Sequence, residues 1–134
     1  MPASGTYSEK LPCGGTLEIT SDGFRIRYYF PGPDARHNGT FVDLQGSRLG
    51  DYISAYRENW EKYQALKATI PAGGEFSQAG TMGMQIRLGK FNEGVCIQSY
   101  HMPLNTKNAL ERVIASYEYA IKRAEKAHAM LREM

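Results

Sequence analysis

Cysteine and histidine are scarce in this chain, which has two cysteines and three histidines among its 134 residues. Cys13 and Cys96 stand alone, so the sequence lacks the CxxC spacing that zinc and redox sites use. His37, His101 and His128 are far apart and show no metal-ligand spacing. The sequence therefore predicts no metal centre and no cofactor.

Long hydrophobic runs and an excess of one charge are absent as well. No run approaches the about 18 apolar residues that span a bilayer, and residues 1–10 lack the basic and apolar regions of a signal peptide. We therefore expect a cytoplasmic protein with no membrane partner. The 16 basic and 14 acidic residues give a net charge of +2, which is too small to indicate a long nucleic acid as partner.

Catalytic signatures are also missing. The sequence contains no GxxxxGK[ST], no GxGxxG after a strand, no HExxH and no GxSxG motif. Its aspartates mostly fit turns and helix starts, and its glutamates mostly fall on exposed helix faces, so no carboxylate pair indicates hydrolysis. We predict that the protein is not an enzyme. A scattered catalytic triad leaves no such signature, so a nucleotide-processing enzyme stays a third alternative.

The first half of the chain shows strands followed by a helix. Apolar and polar residues alternate over 16–20 and 24–30 around a Ser-Asp-Gly turn, which predicts a hairpin, and residues 40–44 predict a third strand. From Leu49 the apolar period becomes about 3.6, which predicts a helix that ends before Pro71.

The second half predicts another hairpin and a long helix. Residues 82–88 and 95–100 alternate around the connection 90–94, and Asn105 or Thr106 is placed to cap a helix that runs toward residue 132. The element order β-β-(β)-α-β-β-α predicts an α+β fold, with a small antiparallel sheet of two hairpins and two helices on one face.

Two further predictions concern domain organisation and assembly. Residues 1–15 contain several prolines and glycines without periodicity, so we expect a flexible arm before one domain over 16–134. The last helix is about 40 Å long, whereas a compact chain of this size has a radius of gyration of about 14 Å. Its projecting apolar stripe predicts packing against a second subunit, in a dimer or a larger homo-oligomer.

Arginine and aromatic residues are grouped in a way that suits a nucleotide. The chain has nine tyrosines, and Arg25, Arg27 and Tyr29 share one face of a predicted strand. Aromatic rings stack on planar bases, and the arginine fork suits phosphate oxygens. An ordinary solvated sheet face explains this grouping equally well.

The segment from residue 83 to residue 122 resembles a known family of phage proteins. Its sequence GMQIRLGKFNEGVCIQSYHMPL, with the helix that contains SYEYA, is similar to the first family of Thoeris anti-defence proteins, the cyclic-nucleotide sponges. The resemblance implies a small antiparallel sheet with two helices, a hexamer, and a location in the host cytoplasm. It also implies non-catalytic sequestration of cyclic ADP-ribose isomers and of some cyclic oligonucleotides.

The residue types in this segment and in the last helix indicate candidate contacts with the ligand. Phe91 and Tyr100 are expected to stack on the base, and Asn92 to hydrogen-bond its edge. His101, at the junction of strand and helix, is expected to assist, although capping the strand end explains it equally well. The candidate phosphate ligands are Arg87, Arg112, Lys122 and Arg123.

A second interpretation of the same residues stays open. Tyrosine and arginine are favoured in the centres of protein interfaces, so they do not separate a nucleotide site from a protein-binding site. The runner-up function is therefore a phage inhibitor that binds a host defence protein, as anti-CRISPR proteins do.

Overall fold

The computed structural model describes residues 7–30, 39–71, 73–89, 93–97 and 103–132. The chain forms two compact units, and the single domain over 16–134 stays a prediction. The first unit comprises residues 1–50 and 115–134, and the second comprises residues 51–114. Both contain antiparallel strands and helical segments, so the predicted α+β class is confirmed.

Seven strands and two long helices make up the described structure. The strands are β1 (Tyr7–Lys10), β2 (Thr16–Thr20), β3 (Gly23–Phe30), β4 (Thr40–Gln45), β5 (Phe76–Ala79), β6 (Gln85–Leu88) and β7 (Gly94–Cys96). The helices are α1 (Leu49–Thr69) and α2 (Lys107–Arg132). Short 3-10 turns precede α1 and β6. Among the described residues, neither helix is long and apolar enough to cross a membrane.

The first unit contains an antiparallel sheet with the strand order β1-β2-β3-β4. The predicted hairpin and third strand are confirmed as β2, β3 and β4. Leu17, Ile26 and Leu44 lie opposite one another in the register and are buried. Arg25 and Arg27 alternate with these positions, so they lie on the other face, which we call the outer face.

Strand β1 corrects the prediction of a flexible arm over residues 1–15. Tyr7 to Lys10 pair with β2, and Glu9 lies opposite the buried Leu17 on the inner face. Glu9 accepts hydrogen bonds from the hydroxyls of Tyr7 and Tyr119. The segment is polar throughout, so it shows no hydrophobic alternation. The strand is held by its backbone pairing with β2 and by the contacts of the Glu9 carboxylate on the inner face. Neither leaves a hydrophobic pattern in the sequence.

The C-terminal part of α2 contacts the inner face of this sheet. The hydroxyls of Tyr117 and Tyr28 are 2.8 Å apart, and Nε2 of His128 lies 2.9 Å from the carbonyl oxygen of Thr20. Ala124 and other members of the predicted apolar stripe are buried within the chain itself. Because α2 supplies residues to both units, its length and its stripe have an explanation inside one chain. The homo-oligomer stays a prediction.

The second unit pairs three strands in the order β5-β6-β7. The hydrophobic pattern predicts no strand between Pro71 and residue 82, but residues 76–79 form β5, an edge strand with mostly exposed side chains. The predicted strand 82–88 begins only at Gln85, because Met82 adopts a left-handed conformation with φ of 58°. Both differences arise where backbone hydrogen bonds, rather than hydrophobic alternation, determine the local structure.

Candidate functional site

The eight predicted ligand residues fall into three groups. Phe91, Asn92, Tyr100 and His101 lie outside the described residues. Of the remaining four, two belong to the second unit and two to the first. The second-unit pair is Arg87 and Arg112, and the first-unit pair is Lys122 and Arg123.

Arg87 lies on β6 with its charge unopposed by a described carboxylate. Its Nε donates a hydrogen bond to Oε1 of Gln85 at 3.1 Å, and its Nη2 donates to the same oxygen. The two side chains meet because residues i and i+2 of a strand share a face. Gln85 is the only partner of this guanidinium in the part of the chain that the structure describes. A neutral amide orients the guanidinium, and no described carboxylate is paired with its positive charge.

The cross-strand neighbours of Arg87 are small. Arg87 is half-buried and lies between Ser77 on β5 and Gly94 on β7 in the sheet register. Ile86 and Leu88 alternate with it and are buried on the opposite face. Because serine and glycine carry no charge, neither neighbour in the register neutralises the guanidinium.

Cys96 lies near Arg87 but is not a nucleophile. Its position is opposite Gln85 in the register, and its side chain is buried. Burial raises the pKa of the Cys96 thiol, while the positive charge of Arg87 acts in the opposite direction. The thiol is therefore protonated at neutral pH, and thiolate chemistry requires the deprotonated form.

The connection between β6 and β7 comprises residues 89–93, because β6 ends at Leu88 and β7 begins at Gly94. Gly94 has a φ of 132°, and a side chain there would collide with the carbonyl oxygen of Leu104. Val95 and Leu104 exchange two backbone hydrogen bonds of 3.0 and 2.8 Å, which hold this close approach.

Glu93 ties the end of this connection to α1. The Tyr63 hydroxyl donates a hydrogen bond to Glu93, and Nζ of Lys67 lies 2.8 Å from its Oε2. These two donors hold the pKa of Glu93 below its ordinary value, with Lys67 contributing most. Burial and the bond to Glu93 raise the pKa of Tyr63. The sequence does not predict the cluster of Tyr63, Lys67 and Glu93, because only the tertiary fold brings Glu93 to the helix.

Asn59 was also missed, although the sequence contains a signal for it. It lies on the apolar stripe of α1 and is 0% exposed. Its Oδ1 accepts a hydrogen bond from the Thr81 amide at 2.9 Å, and its Nδ2 donates to the Thr81 carbonyl at 3.1 Å. A polar residue within an apolar helical stripe has to find buried partners. Here the partners hold the turn that contains Met82.

The other described candidates are Arg112, Lys122 and Arg123. Arg112 is an exposed residue on α2 and belongs to the same unit. Lys122 is exposed, and the Arg123 guanidinium lies over the Tyr7 ring with its carbon 4.7 Å from the ring centroid. Arg123 therefore packs against β1, which gives it a structural role in the first unit.

Arginines on the outer face of the first sheet are paired with carboxylates. Nε of Arg25 lies 2.8 Å from Glu18, and Arg27 makes two bonds to Asp43 at 2.7 and 3.0 Å. The hydrogen bonds from Arg27 lower the pKa of Asp43, and those same bonds raise the pKa of Arg27. Both guanidiniums are thus engaged, which favours the solvated-face explanation for this strand over a phosphate site.

Aromatic rings remain exposed beside these pairs. Tyr29 is 55% exposed and Phe41 is 56% exposed. Their ring centroids are 5.1 Å apart, and the Arg27 guanidinium carbon lies 4.7 Å from the centroid of Phe41. This surface is apolar with balanced charges around it.

Neither a metal cluster nor a relative assigns a function. In the described ranges, no group of three or more histidine, cysteine, aspartate or glutamate side chains is placed to hold a metal ion. Comparison of the chain with models of known families, with curated proteins and with solved structures found no match.

Proposed function

We propose that this protein sequesters a small cyclic nucleotide without converting it, and that Arg87 anchors a phosphate of the ligand. The ligand class is the cyclic ADP-ribose isomers, with cyclic oligonucleotides as a related possibility, and the biological setting is phage anti-defence in the host cytoplasm. The observation that carries the proposal is the half-buried Arg87, which a neutral glutamine orients and no described carboxylate neutralises.

The contrast with the first sheet supports this choice of anchor. Arg25 and Arg27 already hold Glu18 and Asp43, so a phosphate has to displace a carboxylate there. Arg87 has only the amide oxygen of Gln85 as a described partner. Charge-assisted hydrogen bonds to phosphate are stronger than those to a neutral acceptor, and partial burial strengthens them further.

The chain order supports a stacking contact next to this anchor. Arg87 and Gly94 lie opposite each other at the last described pair before the connection. Phe91 and Asn92 belong to that connection, so the sequence places a candidate stacking ring and a candidate amide within a few residues of the anchor. Glu93, held by Lys67 at 2.8 Å, restrains the point where the connection enters β7.

The proposed binding involves no chemical step. The thiol nearest to Arg87, that of Cys96, is buried, and its raised pKa keeps it protonated. Orientation and charge are sufficient for sequestration, because tight binding of a small anion needs enclosed contacts and does not need a nucleophile.

Retention of intact ligand is the test. The protein is incubated with cyclic ADP-ribose isomers or cyclic oligonucleotides, separated from free ligand and heat-denatured, and the released compound is identified by mass spectrometry. We expect wild-type protein to release unchanged ligand. Arg87→Gln should weaken retention at least about tenfold, because removing one charged hydrogen bond costs about 1.5–3 kcal/mol.

Arg57→Gln is the matched control. Arg57 belongs to the same unit but is exposed and paired with Glu111 at 3.0 Å, so its replacement should leave retention unchanged. A chemically altered ligand would indicate an enzyme. No retention of any tested nucleotide would reject the proposal and favour the inhibitor of a host protein.

A further inference from the structure

The first sheet has two edges, and they differ in how they are protected against pairing. An edge strand presents unpaired backbone groups that can accept another strand. Natural proteins prevent this with short strands, lysines, prolines and inward-pointing charges. The edges of this sheet are β1 and β4.

Strand β1 has these protective features. It is four residues long, and Lys10 is exposed at its end. Glu9 faces inward, where its carboxylate oxygens lie 2.9 and 2.7 Å from the Tyr119 hydroxyl. An additional strand at this edge would have to pass beside a fixed charge.

Strand β4 lacks them. It has six residues, TFVDLQ, without lysine, arginine or proline. Its single charged side chain, Asp43, is held by Arg27 at 2.7 Å and by Arg25 at 3.3 Å. Strand β3 is the only strand that pairs with β4 in the described ranges. In an antiparallel strand, alternate residues point their backbone N–H and C=O groups to opposite sides. Every second residue of β4 therefore points these groups away from β3, where no described strand pairs with them.

An apolar surface lies at the same edge. Phe41 on β4 is 56% exposed, and it forms a tilted ring pair with Tyr29, which is 55% exposed. Large apolar side chains that are grouped and exposed often mark an interaction surface. Their position on the edge strand and its neighbour indicates a partner that approaches along β4.

We propose that β4 pairs with β4 of a second copy of this chain, antiparallel and about a two-fold axis, so that the two four-stranded sheets become continuous. Such a self-complementary contact closes after two copies and does not propagate into fibres. The proposal concerns only the first unit and does not depend on the nucleotide ligand.

The charges of this face favour a second copy as the occupant. On strands β2, β3 and β4 the outer face carries two paired arginines and two paired carboxylates, so two copies that meet along β4 approach without net repulsion. The paired residues are Glu18, Arg25, Arg27 and Asp43.

The same charges help to determine which residues of the two β4 strands lie opposite each other. Residues that lie directly opposite each other in the two β4 strands have side chains on the same face of the joined sheet. Because side chains alternate along each strand, two opposed residues are both odd-numbered or both even-numbered. Centring the contact on Asp43 would place two carboxylates opposite each other, which is unfavourable. Centring it on Val42 places Phe41 of each copy opposite Asp43 of the other. Phe41 then meets the Arg27–Asp43 pair of the second copy, which matches its contact with Arg27 in its own chain.

The first test is the mass of the full chain in solution, measured by light scattering over a dilution series. Wild-type protein should have an even multiple of 15.0 kDa. Phe41→Asp places a carboxylate opposite Asp43 of the second copy, which is unfavourable, and should halve that mass. Tyr29→Asp places the same charge on the same face, at an equally exposed residue one strand inward, and should leave the mass unchanged.

The second test is a disulfide at the two-fold axis. Opposed residues of paired strands have Cβ atoms about 4.5–5.5 Å apart, so Val42→Cys should form a covalent dimer on mild oxidation. The background is Cys13→Ser with Cys96→Ala, and folding is checked by circular dichroism. Ser8→Cys, on the β1 edge, is the control and should stay uncrosslinked.

Selective loss of the dimer in Phe41→Asp, together with the crosslink at residue 42, supports the proposal. A monomeric wild-type chain overturns it and leaves the β4 edge to another extended partner. A dimer that survives both aspartate substitutions overturns it as well, because the contact then lies elsewhere. Loss of the dimer in both variants, without a crosslink at residue 42, also overturns the proposal.

Discussion

Single buried polar groups hold the irregular parts of the second unit. Asn59 satisfies both backbone groups of Thr81 and also lies 3.2 Å from Sδ of Met84. It thereby supports a turn in which Met82, a residue with a side chain, has a positive φ of 58°. Such a conformation persists only where surrounding contacts determine it.

We expect Asn59→Ala to lower the free energy of unfolding by about 1–3 kcal/mol, because it leaves the half-buried Thr81 amide without its acceptor. Urea denaturation followed by circular dichroism measures this. Gln64→Ala, at an exposed position of the same helix, is the control and should change stability by less than about 0.5 kcal/mol. Equal effects of the two substitutions would contradict the role given to Asn59.

Glu93 makes stability depend on pH. Lys67 and Tyr63 hold its pKa in the folded chain below the ordinary 4.5. A carboxyl whose pKa is lowered on folding stabilises the fold above the unfolded pKa, and this contribution disappears as pH falls through the folded pKa. The ionised form of Glu93 therefore contributes fully at neutral pH.

We expect Glu93→Gln to be less stable than the wild type at pH 7, and the difference to shrink as the pH falls from about 5 to about 3. Denaturant unfolding at a series of pH values measures it. Glu61→Gln removes an exposed carboxylate from the same helix that carries Tyr63, and it should show no comparable change. A difference that is constant over this range would exclude the ionised contact.

At the scale of elements, β1 is held by few contacts. It is a polar edge strand of four residues, and its side-chain attachment to α2 consists of Glu9 with Tyr119 and of Tyr7 with Arg123. The hydrogen bond to Glu9, followed by burial, raises the pKa of Tyr119. Loss of Glu9 should therefore release this strand and leave the rest of the sheet paired.

We expect Glu9→Ala to speed amide hydrogen exchange of β1 by roughly tenfold, with exchange in β2 and β3 unchanged. Hydrogen exchange read by mass spectrometry measures both regions in one experiment. Ser8→Ala, on the outer face of the same strand, should leave exchange of β1 unaltered. Faster exchange throughout the sheet would show that β1 is not an independent element.

At the scale of the whole molecule, α2 runs without a break through residues of both units. A continuous helix makes its hydrogen bonds from residue to residue, so melting it within one unit exposes the helix end in the other. The second unit carries the single tryptophan, Trp60, which reports that unit separately from the far-ultraviolet signal of the whole chain.

We expect tryptophan fluorescence and circular dichroism to show coincident unfolding transitions in the wild type. Ala115→Pro interrupts α2 at the first residue assigned to the first unit, at a cost of about 3 kcal/mol, and should separate the two transitions. Ala127→Pro breaks the helix inside the first unit and leaves the helix intact around residue 115, so the fluorescence and circular dichroism midpoints should fall together. Coincident transitions in Ala115→Pro would reject coupling through α2.

The sequence by itself determined the elements whose hydrophobic pattern is strong. The β2–β3 hairpin, β4, α1 and α2 form where the alternation or the 3.6-residue period predicts them, and the pairing of Glu58 with Lys62 at 3.4 Å follows from helical spacing. These features depend on residues close together in the chain. Residue type also identified Arg87 as a candidate anion ligand, which remains a prediction.

Only the tertiary structure decided which charges are already paired. Arg25, Arg27 and Arg87 look alike in the sequence, but two of them meet Glu18 and Asp43 across strands, and the third meets only Gln85 among the described residues. Strands β1 and β5 likewise exist through backbone pairing that leaves no hydrophobic pattern. The scarce cysteines and the balanced net charge exclude several classes of site. The position of each charge relative to its neighbours determines which arginine can bind an anion, because attraction between charges depends on distances that the fold sets.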